Sequence, residues 1–206
     1  EFDGVDDYIS ADSVTSHIAG GEYTFLAWIK SSDASSQQMV TGINSNTGMN
    51  RLLFGHQPSV DYIELYDGSW HSGSTTVIDG NWHHVAVVYD RTEGIMKRYL
   101  DGKHVGTDTD ISSVTGDVNV SSTLKIGHKS SDSDAFFNGS IDEVRIYNRA
   151  LTEDEIYKCY LGNCPEDGLV LYYSFESISG NKVIDESGSG NDGTIYGARP
   201  VEPGIK

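Results

Sequence analysis

Gly139-Ser140-Ile141-Asp142-Glu143-Val144-Arg145-Ile146-Tyr147-Asn148-Arg149-Ala150-Leu151 opens as a strand and runs into a helix signal. Successive strand side chains face opposite ways. Ile141, Glu143, Arg145 and Tyr147 are therefore expected on one side, and Asp142, Val144 and Ile146 on the other. That phase puts a lone carboxylate, Asp142, in line with core aliphatics. An ionised carboxylate facing a core is costly unless it is paired or bound to a cation. Asp142 is thus either solvated at the strand end, where it accepts backbone N–H bonds, or a metal ligand. Thr152-Glu153-Asp154-Glu155 then has the form of a capping box, with Thr152 as N-cap and Glu155 three residues on. It opens one short helix to Tyr160.

Outward from this stretch the chain reads as many short strands. Residues 22–30 alternate Tyr23, Phe25, Ala27 and Ile29 against Thr24, Leu26, Trp28 and Lys30, both sides largely apolar, as in a strand between two layers. Residues 38–42, 52–56 and 62–66 follow as strands parted by turn residues. Residues 82–90 and 96–100 pair as a hairpin, and Asp101-Gly102 signals a type I′ turn before residues 103–107. Residues 12–21 form a loop with room for one helical turn. Strand spacing of this kind predicts an all-β, two-sheet antiparallel sandwich with one short helix.

Four segments in order carry a family resemblance. G-x-I-D-E-V-R-I-Y-N-R-A-L at residues 139–151, F-D-G-V-D-D-Y-I at 2–9, N-W-H-H-V-A-V-V-Y-D at 81–90 and L-D-G-K-H-V-G at 100–106 resemble strands of laminin-G-like jelly rolls in the concanavalin A-like lectin/glucanase superfamily. The resemblance spans nearly the whole chain. It implies the fold and leaves the function open.

The family's opening signature, a strand L-V-x-Y-x-F-E followed by a Gly-rich turn, stands here at the other end. It reads Leu169-Val170-Leu171-Tyr172-Tyr173-Ser174-Phe175-Glu176, then Asp185-Glu186-Ser187-Gly188-Ser189-Gly190-Asn191-Asp192-Gly193-Thr194. Residues 1–160 would form the main part of the domain, residues 161–168 a linker, and residues 169–206 the displaced first-strand segment. A circular permutant closing on itself, one period of a tandem repeat, or donation of the strand to a neighbour, building a filament, would all produce this order. In each case residues 169–176 need the strand at 142–147, from this chain or another, as partner. Unpaired, they would be an exposed apolar edge.

The chain of 206 residues carries 14 Lys and Arg against 31 Asp and Glu, a formal net charge of −17, which argues against nucleic acid and anionic membranes as partners. No apolar run approaches the length needed for membrane insertion. The two cysteines, Cys159 and Cys164, are too few to specify a zinc site and would pair across a small loop in an oxidising compartment. Asn119-Val120-Ser121 and Asn138-Gly139-Ser140 are glycosylation sequons.

No paired-carboxylate strand motif, nucleophile elbow, phosphate loop or H-E-x-x-H occurs, so the chain is expected not to be an enzyme. His83 and His84 are adjacent strand residues facing opposite ways, which reads as structural. The resemblance implies a calcium ion held by Asp142, by Asp3 or Gly4, and by Glu176, with mixed carboxylate and carbonyl oxygens. It also implies an extracellular binding or adhesion module whose partner is a carbohydrate or glycoprotein. A sugar site needs an exposed aromatic and a few hydroxyl-bonding groups, for which Trp70, His71, Tyr62, Tyr66, Arg51 and His56 are candidates. The alternative function is a self-associating surface or filament subunit joined through the C-terminal strand.

Overall fold

A computed structural model describes residues 1–19, 21–35, 38–43, 77–112, 123–128 and 135–201, together with the strand backbones within 52–72. In chain order the elements are β1 (Phe2–Asp3), β2 (Tyr8–Ala11), α1 (Thr15–Ile18), β3 (Tyr23–Lys30), β4 (Gln38–Ile43), β5 (Leu52–Gln57), β6 (Val60–Tyr66), β7 (Trp70–Ser72), β8 (His83–Asp90), β9 (Ile95–Leu100), β10 (Lys103–Asp110), β11 (Leu124–Ile126) and β12 (Asn138–Tyr147). Then come α2 (Glu153–Tyr160), β13 (Leu169–Tyr173), β14 (Ile178–Ser179), β15 (Lys182–Val183) and β16 (Gly193–Tyr196).

The described strands form two antiparallel sheets. One has the order β1-β12-β3-β8-β9-β10, with β13 also on β12. The other runs β14-β15-β16-β2-β11-β4-β5-β6-β7. Phe25, Ile29, Val87 and Val144 from the first sheet meet Ile9, Val40, Ile126 and Val183 from the second in one buried cluster. Each such side chain contributes about 1.5–3 kcal/mol relative to exposure. The outer face of the first sheet is covered as well. Leu26, Ala86, Val88, Tyr99 and Tyr147 pack there against Leu151, Ile156 and Cys159. This double cover is why β3 is apolar on both sides.

Local sequence signals act as their chemistry requires. At α2 the Thr152 hydroxyl accepts the Glu155 N–H at 3.3 Å, and the Glu155 carboxylate accepts the Thr152 N–H at 2.9 Å. Arg149 donates to both Glu155 oxygens, at 2.9 and 2.7 Å, and chiefly this holds the Glu155 carboxyl down at about 2. Cys159 at the helix end and Cys164 beyond it are joined, with Cα atoms 4.3 Å apart. Asp101 and Gly102 both take positive φ, 49° and 75°, which closes the β9–β10 hairpin as a primed turn.

The central strand departs from strict alternation. Its register against β3 shifts between Asp142 and Arg145, and Glu143 there adopts φ 53°. This is a β-bulge, and it inserts one residue into the phase. Ile141, Val144 and Ile146 consequently all reach the main core, while Asp142 is only half-buried. The expected alignment of Asp142 with Val144 and Ile146 is thereby corrected: the carboxylate is spared a core position. One Asp142 oxygen accepts the Glu143 N–H at 2.9 Å across the bulge.

The C-terminal segment joins both sheets of its own chain. β13 pairs with β12 from Val144↔Tyr173 to Tyr147↔Leu169, and β16 pairs with β2 from Thr194↔Ser10 to Tyr196↔Tyr8. Between these strands the Gly-rich turn is tied by Asp185 and Asn191, which are 8% and 2% exposed. Asp185 accepts the N–H groups of Tyr172, Ser187 and Asn191 and the Ser187 hydroxyl, all within 2.9–3.0 Å. Asn191 donates to the Val170 carbonyl at 2.7 Å, and its own carbonyl accepts the buried Tyr173 hydroxyl at 2.6 Å. Buried polar groups are retained where their bonding capacity is filled in this way.

Candidate functional site

β1 and β13 lie along the same edge of β12. β1 pairs at Asn138 and Gly139, and β13 pairs from Val144 onward, so residues 140–143 have no strand neighbour on that edge among the described pairings. A cavity of about 330 Å³ opens there, lined by Phe2, Trp82, Ile141, Asp142, Phe175 and Glu176 among others. The chain tail, residues 198–201, forms a further wall. It is tied to the chain start by the Arg199 N–H, which donates to the Glu1 carbonyl at 3.1 Å.

A second, more polar groove of about 460 Å³ shares Trp82 and Ser140 with this cavity and adds Lys30, Asp33 and Asn138. Trp82 therefore stands between an apolar recess and a polar one. The groove wall is held rigidly. Ser31 Oγ donates to the Asn138 carbonyl at 2.6 Å, Asn138 Nδ2 donates to Asp33 at 3.0 Å, and the Asn138 N–H donates to Gln38 at 2.9 Å. Gly139 is obligatory beside it. A Cβ at its φ of 150° would sit 2.1 Å from the Lys30 carbonyl oxygen.

The expected calcium ligands fall into two places. Asp142 and Glu176 share the cavity, whereas Asp3 clusters with Asp6 and Asp7, their oxygens within 4.8 Å of one another. Asp3 accepts the Val5 and Asp6 N–H groups at 2.8 and 3.3 Å, bonds that hold its carboxyl below the usual range. Burial pushes the Asp7 carboxyl up. Gly4 adjoins the cluster with φ 77°, pressed close to the Asn138 side chain. The donor set is all oxygen and mutually repulsive, which suits a hard cation such as calcium.

Among the expected sugar-binding residues, Tyr62, Tyr66, His56, Trp70 and His71 belong to β5–β7, at one edge of the second sheet. Tyr66 is in register with Trp70, and His56 with Gln38. Their side chains, Arg51 and the Asn119 sequon lie outside the described residues. Of the two histidines, His83 bonds Asp101 at 3.0 Å and Asp79 at 3.2 Å. His84 is fully buried beside Trp28 and Tyr160, and neither of its ring nitrogens meets a hydrogen-bond partner among the described residues. Sequence reasoning passed over Trp82 as an ordinary strand residue. A signal was present in the sequence, since Trp82 is an aromatic directly after the polar turn residues Asp79-Gly80-Asn81.

Residues 3–157 match a laminin G-type family described as the concanavalin A-like lectin/glucanases superfamily. The chain belongs to that family. This concanavalin A-like domain is 26% identical over 207 residues to a rat protein, "Sushi, von Willebrand factor type A, EGF and pentraxin domain-containing protein 1". The match covers 91% of the domain but only 5% of that relative. Among solved structures, a provisionally assigned carbohydrate binding protein of Bacteroides ovatus aligns with TM-score 0.75 at 20% identity, over 95% of the domain and 57% of that chain. The CBM40 of the Ruminococcus gnavus IT-sialidase, bound to α2,3-sialyllactose, aligns with TM-score 0.54 at 16% identity, over 71% of the domain and 86% of that chain. These likenesses establish the sandwich. No helix among the described residues is long and apolar enough to cross a membrane.

Proposed function

We propose that this domain is a non-catalytic, extracellular adhesion or binding module whose ligand is a carbohydrate, held in the cleft around Trp82. The observation that carries the reading is the placement of Trp82 between the apolar cavity and the polar groove. An indole offers a face for the apolar side of a sugar ring, and the flanking carboxylates, amide and hydroxyls accept or donate to its edge hydroxyls. The binding roles named for the Bacteroides and Ruminococcus structures support this reading. The disulfide fits an oxidising compartment. Calcium at Asp3, Asp6 and Asp7 would relieve their mutual repulsion and fix the β1–β2 turn beside the cleft. The pairing of β13 with its own β12 supports a permuted domain closed on itself over one that donates this strand to a neighbour.

A glycan panel read with wild type and Trp82→Ala tests the site. Loss of the stacked ring is expected to weaken binding at least about fivefold, since one aromatic contact is worth on the order of 1 kcal/mol or more. Equal binding by the variant, or no glycan bound by either protein, overturns the reading. For the metal, a chelator is expected to lower the melting temperature of the wild type, and an unchanged transition removes calcium from the proposal.

A further inference from the structure

The cavity beside Trp82 has a hydrocarbon floor. Phe2, Ile9 and Ile141 line it and are only 2%, 2% and 6% exposed. Ile178 and Val201, 37% and 49% exposed, carry the apolar lining out to the rim. The charged lining residues, Glu1, Asp142, Glu176 and Arg199, are of both signs and are exposed or half-buried, so none of them forms the floor. The recess follows from a break in pairing. The β12–β13 ladder ends at Val144↔Tyr173, and just beyond it Glu143 and Phe175 turn to φ 53° and 61°. Left-handed backbone is costly for a bulky residue and persists where the surroundings enforce it. Here it sets the Phe175 side chain in the cavity wall, packed against the main core.

We infer that the cleft takes a glycoside in two parts: the sugar ring lies in the polar groove against Trp82, and an apolar aglycone, alkyl or aryl, enters the cavity. This deepens the carbohydrate reading above and rests on it. The two recesses share Trp82 and Ser140, so one ligand can occupy both. A free pyranose carries hydroxyls around its edge. Pressed onto a floor of Phe2, Ile9 and Ile141, they would lose water without gaining partners. In the groove the same hydroxyls meet Lys30, Ser32 and Asp33. An apolar group has the opposite preference, and each methylene fully removed from water tightens binding about fourfold. An apolar cavity of about 150 Å³ already admits benzene. This one measures about 330 Å³.

Two measurements test it. The first needs no sugar: 1-pentanol is titrated into the domain while isoleucine methyl signals are followed by NMR. The methyls of Ile141 and Ile178 are expected to shift saturably, and those of Ile156, in the other apolar cluster, to stay in place. No shift at Ile141 and Ile178 overturns the inference whatever the sugar result. The second compares methyl, propyl and pentyl β-glucosides and β-galactosides. Affinity is expected to rise at least about tenfold from methyl to pentyl. Equal affinity for the two overturns the inference and leaves the carbohydrate reading standing. In Phe175→Asn, whose new side chain tolerates left-handed backbone, the gain is expected to fall below about threefold. An undiminished gain overturns the placement of the aglycone in the cavity. Pentanol in the cavity, with no glycoside bound more tightly than pentanol, removes the carbohydrate reading and leaves the recess as a site for apolar ligands alone.

Discussion

The Gly-rich turn around Asp185 and the cleft around Trp82 both set carboxylates beside aromatic rings, yet they use them differently. Asp185 is enclosed and accepts four hydrogen bonds from within its own turn and the neighbouring strand. Glu176, only a short way along the chain, is exposed at the mouth of the cavity. A carboxylate whose lone pairs are filled by the fold belongs to stability. One left at the rim of a recess keeps its capacity for a ligand. The same residue type thus marks structure in one place and binding in another, and local bonding tells them apart.

The contrast can be broken by mutation. Asp185→Ala is expected to cost about 3 kcal/mol or more, because several buried donors lose their acceptor at once. Trp82→Ala should cost far less stability while weakening binding. Chemical denaturation of both variants checks this, and equal losses would dissolve the distinction. Opening the disulfide with Cys159→Ser and Cys164→Ser together is expected to cost about 2 kcal/mol by the loop-entropy relation for so short a loop. Glycan affinity should stay unchanged, since the bridge joins the last turn of α2 to the segment after it and neither cysteine lines the cleft. A linked loss of affinity would mean that the two regions are coupled.

The smallest expected effect sharpens the comparison by its exception. The His84 ring is buried with no hydrogen-bond partner among the described residues, and burial, aided by Arg145 and opposed by Asp101, lowers its imidazole from 6.5 to about 4. The neutral ring is favoured in the folded state. Its contribution is fully present above about pH 6.5 and is lost as pH falls toward 4, because the unfolded chain takes up the proton first. Melting temperature followed across that window should fall more steeply for wild type than for His84→Gln. Parallel curves would show that His84 carries no such linkage.

Features set by neighbours in sequence were legible before the structure. The capping box at Thr152 needs only residues three apart, and the Asp101-Gly102 turn needs only two residues tolerant of positive φ. The two apolar faces of β3 announced two layers. The bulge at Glu143 was not legible, since a glutamate has no propensity for φ 53° and is held there by strands on either side. The cleft was hidden for a related reason. The polar turn before Trp82 was visible, but its recess exists only when residues 140–142, 175, 176 and 178 are placed beside it, and their joint register is a property of the assembled sheets. The fate of Asp142 followed from the same bulge, which moved it from the core phase to the cavity wall.

The tie between Glu1 and Arg199 spans 198 residues. Contacts of such separation form late, after the intervening chain has found its place. The recess beside Trp82 is walled by Phe2 from one end and by Pro200 and Val201 from the other. During synthesis the recess cannot exist until residues 200 and 201 have left the ribosome, so the capacity to hold a ligand becomes a report that these two distant segments have docked.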